Sequence, residues 1–232
     1  MRQSIPVWDF AVRVFHWSLV LLVAIAWWTG GSAGRWHEVV GYTVFGLVVF
    51  RIVWGFAGTP HARFADFVTS PWRIWRYLAE LRAGKAARTR GHNPAGGAMI
   101  LALIATLLVV CNTGWMMYTR LWFGVPWVEE LHQNAANLLL VLVPLHIVGV
   151  VVSSWLHREN LVLAMITGSK PMLDATERKA VASATARARF QRHARHGLAM
   201  LLVLALVGAG YGWITTGRRV ATSFPPPSEA QQ

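Results

Sequence analysis

Four long apolar runs, 10–28, 39–57, 98–117 and 135–155, constrain this chain more than any motif does. Each has close to the roughly 20 residues that a helix needs to cross a hydrocarbon core about 30 Å thick at about 1.5 Å per residue. No water is present there to bond a peptide group, so helices are the form such runs take. A fifth, shorter run at 198–214 reads as a further span, although Arg218 and Arg219 beyond it would then face the outside. The expectation is an all-α membrane protein. It comprises a four-helix transmembrane bundle over 1–170, a basic cytoplasmic segment at 171–197, a fifth C-terminal transmembrane helix within 198–217 and a disordered tail at 218–232. With 55% hydrophobic residues, 14% charged and 13 Trp, a water-soluble, disordered or collagen-like chain is excluded. The first apolar run lacks a small-residue cleavage site after it and reads as retained.

The net charge of +12 would suit nucleic acid, an anionic lipid surface or a membrane orientation bias, and its distribution decides between them. Arg63, Arg73, Arg76, Arg82, Lys85, Arg88 and Arg90 fall between the second and third runs. Arg158, Lys170, Arg178, Lys179, Arg187, Arg189, Arg192 and Arg195 follow the fourth, whereas the other two connections hold only Arg35 and Arg120. The positive-inside rule therefore puts the N-terminus and both basic segments in the cytoplasm, and no nucleic-acid partner is implied. Tryptophans fit headgroup belts, with Trp27, Trp28, Trp36, Trp122 and Trp127 outside and Trp8, Trp72, Trp75 and Trp155 inside. The arginines at 187–195 read as one face of a surface helix drawn to anionic lipid, or as a merely solvated helix.

Four histidines carry the chemistry: His16, His37, His132 and His146. An ionisable side chain in a span is costly and usually faces the bundle interior. His132 and His146 are 14 residues apart, so at about 100° per residue they share a helix face, separated by about 21 Å of rise. Chain direction places His16 at the inner depth with His146, and His37 at the outer depth with His132. One imidazole from each of two helices at each level suits two bis-histidine haems stacked across the bilayer. Zinc or copper is disfavoured because two ligands per level are too few and no Cys, Asp or Glu stands nearby. The single Cys111 allows neither a disulfide nor a thioether-attached haem. Pro144 between the two histidines can kink that helix.

Arg51 lies 14 residues after His37, hence on its face and at the inner depth. With no acidic residue in the four runs, a haem propionate would serve as its partner; the alternative is a side chain snorkelling to headgroups. Gly41 and Gly55 would let a flat ring approach. At the inner side His92 and Asn93 offer hydrogen bonds to a quinone carbonyl, His92 also being able to carry a proton, or Asn93 simply caps a helix that starts at Pro94. His157 and Arg158 are second quinone candidates, and Glu129 and Glu130 line an outer loop with Trp122 and Trp127.

The stretch Val7-Trp8-Asp9 to Arg13, Phe15-His16-Trp17, Trp36-His37-Glu38, Phe50-Arg51, Ala62-Arg63-Phe64, Gly91-His92-Asn93-Pro94, Leu131-His132, His146 and His157-Arg158-Glu159-Asn160 resembles the bacterial cytochrome b561 family. That family includes the membrane cytochrome b subunit of nickel-iron hydrogenases. The resemblance implies two non-covalent haem b groups in the bacterial inner membrane, ligated by His16, His37, His132 and His146. The function it implies is electron transfer in a respiratory chain between quinone and a periplasmic redox protein, such as a hydrogenase or c-type cytochrome. A stand-alone superoxide:quinone oxidoreductase is the alternative, and a passive anchor or transport protein is a third.

Overall fold

The computed structural model describes residues 4–31 and 34–171. The expectations of a basic segment beyond Pro171, a fifth span and a disordered tail lie outside the described residues. In chain order the elements are β1 (Ser4–Pro6), α1 (Phe10–Gly30), α2 (Arg35–Ala57), a 3-10 turn at Pro60–Ala62, α3 (Phe64–Phe67), α4 (Pro71–Arg82), α5 (Pro94–Met116), α6 (Pro126–Leu156), α7 (Leu161–Thr167) and β2 (Ser169–Pro171). Of these, α1, α2, α5 and α6 are long and apolar enough to cross a membrane.

Local chemistry sets the helix limits. Asp9 caps α1 by accepting from the Val12 amide at 2.8 Å, and Asn93 caps α5 by accepting from Gly96 at 2.7 Å. Pro71, Pro94 and Pro126 take the first helical position, where a missing N–H costs nothing. The fourth span thus begins at Pro126, well before the apolar run at 135, and α6 runs unbroken past Pro144 to Leu156. A helix in hydrocarbon tolerates such a proline when neighbouring groups satisfy the freed carbonyl.

The bundle is two hairpins, α1–α2 and α5–α6, joined by packing of α2 on α5. Val40, Val44 and Val48 of α2 meet Leu107 of α5 and Leu139 of α6 in the buried core. The outward face of α6 is apolar too: Val141, Leu145, Val148 and Val152 are 40–63% exposed. That stripe would be a liability in water and is the ordinary surface of a helix in lipid.

At one end, the base, β1 and β2 pair antiparallel with Ile5 opposite Lys170. The Asp9 carboxylate accepts from Trp54 Nε1 at 3.1 Å and Thr59 Oγ1 at 2.6 Å, tying the start of α1 to the end of α2. The connection between the second and third spans is more ordered than a basic loop, since it carries α3 and the amphipathic α4. Trp72, Trp75 and Trp155 are highly exposed, as belt residues should be. Trp8 is not a belt residue: it is 8% exposed and packs with Ile5, Val7 and Ala164, because the strand pair folds over it.

Candidate functional site

A cavity of about 2400 Å³ runs through the bundle between α1, α2, α5 and α6. It is more than twice the upper end, about 1,000 Å³, of a single small-molecule site. His16, His37, His132 and His146 all line it, as do Arg51, His92, Asn93 and His157. Arg158 does not: it is exposed, at a positive φ of 49°, and borders a separate groove with Trp155 and Val162.

At the end of the cavity away from the base, the His37 and His132 rings stand with centres 6.3 Å apart and planes at 81°. His37 Nδ1 donates to the Ala26 carbonyl at 2.9 Å, with Thr29 Oγ1 at 3.4 Å. His132 Nδ1 donates to the Val110 carbonyl at 3.0 Å, with Thr113 Oγ1 at 3.1 Å. Each threonine hydroxyl spends its own proton on a carbonyl one turn back, Ile25 or Val109, leaving its oxygen free to accept. A carbonyl can only accept, so both rings carry their proton on Nδ1 and leave the Nε2 lone pair free for a ligand.

The same device therefore occurs twice. A Thr-Gly pair near the end of one helix, Thr29-Gly30 of α1 or Thr113-Gly114 of α5, cradles the histidine of the next span. A Cβ on Gly30 would lie 3.6 Å from His37 Cε1, and one on Gly114 only 3.1 Å from His132 Cε1. An imidazole nitrogen binds a transition metal at about 2.0 Å and the ring centre lies roughly 1.1 Å behind it, so two imidazoles across one metal have centres about 6.2 Å apart. The observed 6.3 Å fits that arrangement. Among the described residues no cluster of three or more His, Cys, Asp or Glu could hold a bare ion. The two imidazoles His37 and His132 would suit a haem, which would supply the remaining iron ligands itself.

Toward the base, His16 and His146 lie close enough to interact electrostatically, and His16 Nδ1 is buried without a hydrogen-bond partner. Arg51 is 4% exposed, with its guanidinium over the rings of Phe64 at 5.3 Å and Phe67 at 5.9 Å and its Nη1 buried and unpartnered. It turns into the protein, so snorkelling is ruled out for it. Gly55 packs against Phe64, whose ring a Cβ would meet at 2.2 Å, and offers no face to a flat ligand. Gly41 does: it lines the cavity with nothing within 4 Å of its Cβ position.

His92 sits between Trp8, ring centres 4.4 Å apart, and Phe67 at 4.8 Å, with its Nδ1 buried and unpartnered. Burial, helped by the positive charges of Arg51 and Lys170, pushes its pKa down to about 3. Its unpartnered Nδ1 leaves it able to hydrogen-bond a ligand. Asn93 performs the capping role with its oxygen, while its amide nitrogen reaches Ser153 Oγ at 3.5 Å.

A match to the prokaryotic cytochrome b561 family covers residues 7–168. The chain belongs to that family. A probable Ni/Fe-hydrogenase B-type cytochrome subunit of Rhizobium leguminosarum bv. viciae is 25% identical over 222 residues, covering 75% of this chain and 91% of the relative. A protein of the same description from Rhodobacter capsulatus is 27% identical over 222 residues, covering 75% and 84%. Family and spans together make this a multi-pass membrane cytochrome, with haem b as its cofactor and membrane electron transfer as its work.

Several residues of the cytochrome's cavity escaped the sequence reading. The repeated pattern Ala26-x-x-Thr29-Gly30 and Val110-x-x-Thr113-Gly114 was a legible signal for the histidine cradles. Nothing comparable marked Tyr77 or Ser153, while Glu159 and Lys170 stood out only as part of a motif and of the basic charge; all four line the base of the cavity.

Proposed function

We propose that this cytochrome carries electrons across the bacterial inner membrane through two haem b groups, one held by His37 and His132 and the other by His16 and His146. The observation that carries this reading is the facing His37–His132 pair, at 6.3 Å with both Nδ1 atoms tied to backbone carbonyls. When bound, a haem iron at each level supplies a one-electron couple. The chain's part is to fix ring orientation through the Thr-Gly cradles, to exclude water with the aliphatic faces of α2 and α5, and to neutralise a propionate with Arg51. The base faces the cytoplasm on this reading, since Arg63, Arg73, Arg76, Arg82, Lys85, Arg88 and Arg90 lie there, against Arg35 and Arg120 at the other end.

Quinone is exchanged at the base, where His92, Asn93 and His157 line the cavity. Arg158 is set outside it, in a separate groove. The redox partner docks at the periplasmic end, where Glu129 and Glu130 are exposed beside the Trp122–Trp127 pair. A hydrogenase is the favoured partner because both relatives bear the name of a hydrogenase cytochrome subunit, and a c-type cytochrome is the substitute. The test is a haem count with a reduced-minus-oxidised spectrum. Two haems per chain are expected, His37→Ala and His132→Ala abolishing the same one and His16→Ala and His146→Ala the other. Loss of one and the same haem from His16→Ala and His37→Ala overturns the pairing.

A further inference from the structure

At the base of the cavity one polar side chain is left over by everything described so far. Tyr77 of α4 is 6% exposed and lines the cavity, and its buried hydroxyl makes no hydrogen bond of good geometry among the described residues, with only a loose interaction with the neighbouring Ser153 side chain. A buried hydroxyl so poorly paired is costly and calls for a ligand or an ordered water.

Its surroundings narrow the choice. Ser153 of α6 lies beside it and is itself near Asn93 Nδ2, at 3.5 Å, so Tyr77, Ser153, Asn93 and His92 form one end of the cavity. Ser153 follows His146 by seven residues, which puts it on the same helix face about 10 Å nearer the base. Ile74, Leu78 and Leu81 of α4 give this end an apolar wall, and Leu78 is 41% exposed, so the wall reaches the surface of the protein. Burial raises the Tyr77 pKa above its ordinary value; the Ser153 side chain opposes this, and the charges of Glu159 and Glu80 add to the rise. Tyr77 is therefore a donor. The fitting ligand is neutral, flat and apolar-tailed, with carbonyl acceptors.

We propose that Tyr77 donates a hydrogen bond to a carbonyl of the bound quinone, whose ring lies between Tyr77 and His92 and whose tail leaves along Leu78. This rests on the assignment of quinone exchange to the base. Arg51, which also has a buried unpartnered donor, is the cation and takes the anionic propionate; Tyr77 takes the neutral acceptor.

The experiment uses the purified, haem-loaded full chain in detergent and titrates it calorimetrically with decylubiquinone and with menadione. At least one should bind the native protein. Tyr77→Phe, which removes only the oxygen, should bind it about three- to ten-fold more weakly with haem content and absorbance unchanged. Ser153→Ala gives an independent arm, expected to weaken binding less. Equal affinity of the native and Tyr77→Phe proteins overturns the Tyr77 contact and leaves quinone exchange standing. Failure of the native protein to bind either quinone overturns quinone exchange at the base, and the contact with it.

Discussion

Glu159, in the turn after α6, holds Lys170 of β2 at 3.2 Å on one carboxylate oxygen while the other meets Arg88 at 2.8 Å. The Glu159 and Lys170 side chains are buried to within a few per cent and lie 11 residues apart in the chain, whereas Arg88 precedes Glu159 by 71. This ion cluster locks the loop before α5, the end of α6 and the β1–β2 pair into one base. Glu159→Gln leaves two cations without an anion and should cost about 3–5 kcal/mol, read as thermal unfolding in detergent. Lys170→Met keeps the Glu159–Arg88 pair and should cost clearly less. Native-like melting of Glu159→Gln would show that the cluster does not hold the base together.

Acid should weaken the fold through His92. Its folded pKa is depressed to about 3, chiefly by burial, from an ordinary 6.5. The unfolded chain therefore binds a proton in that window when the folded one does not, so the contribution is complete above pH 6.5 and lost as pH falls toward 3. Thermal stability measured across this range should fall more steeply for the native protein than for His92→Gln. Parallel curves would assign the acid sensitivity to other groups.

The two histidine cradles should respond unequally to the same substitution. Gly30→Ala puts a methyl at ordinary contact distance, 3.6 Å, from His37, whereas Gly114→Ala puts one 3.1 Å from His132 and forces the ring to give way. Electron paramagnetic resonance of the oxidised protein should show one haem signal shifted by Gly114→Ala and almost none by Gly30→Ala. Thr113→Val and Thr29→Val each remove the second acceptor and should loosen the same haem, by up to about tenfold in retention. Displacement of the other haem's signal would refute the assignment of these threonines.

Gly55 should tolerate no side chain. A Cβ there would lie 2.2 Å from the Phe64 ring, which in turn sits under Arg51. Gly55→Ala is expected to cost about 1–3 kcal/mol by overpacking, with partial recovery in the Gly55→Ala/Phe64→Leu pair. Equal melting temperatures of Gly55→Ala and the native protein would contradict this packing.

The residues that spoke plainly in the sequence are those whose reason is local. Asn93 and Pro94 mark a helix start because a cap acts within three residues. His132 and His146 share a face because helical periodicity fixes them on one rod. Trp8 and Gly55 misled for the opposite reason, since each is defined by something distant: Trp8 by the strand pair that covers it, Gly55 by Phe64. Arg51 shows both cases at once. Its depth followed from spacing, but its inward turn required the rings of Phe64 and Phe67, which α3 delivers. The early start of α6 was hidden because its first turns are polar, while hydropathy registers only what lies in lipid.

The amino-acid order by itself determined four membrane-crossing helices and the level of each histidine, because backbone bonding in hydrocarbon and a fixed rise per residue leave no alternative. Tertiary structure alone decided which nitrogen of His37 and His132 stays free, how the arginine turns, and that Tyr77, Ser153 and His92 share one end of a cavity. Those depend on carbonyls and side chains from other segments, and only packing brings such groups within hydrogen-bond reach.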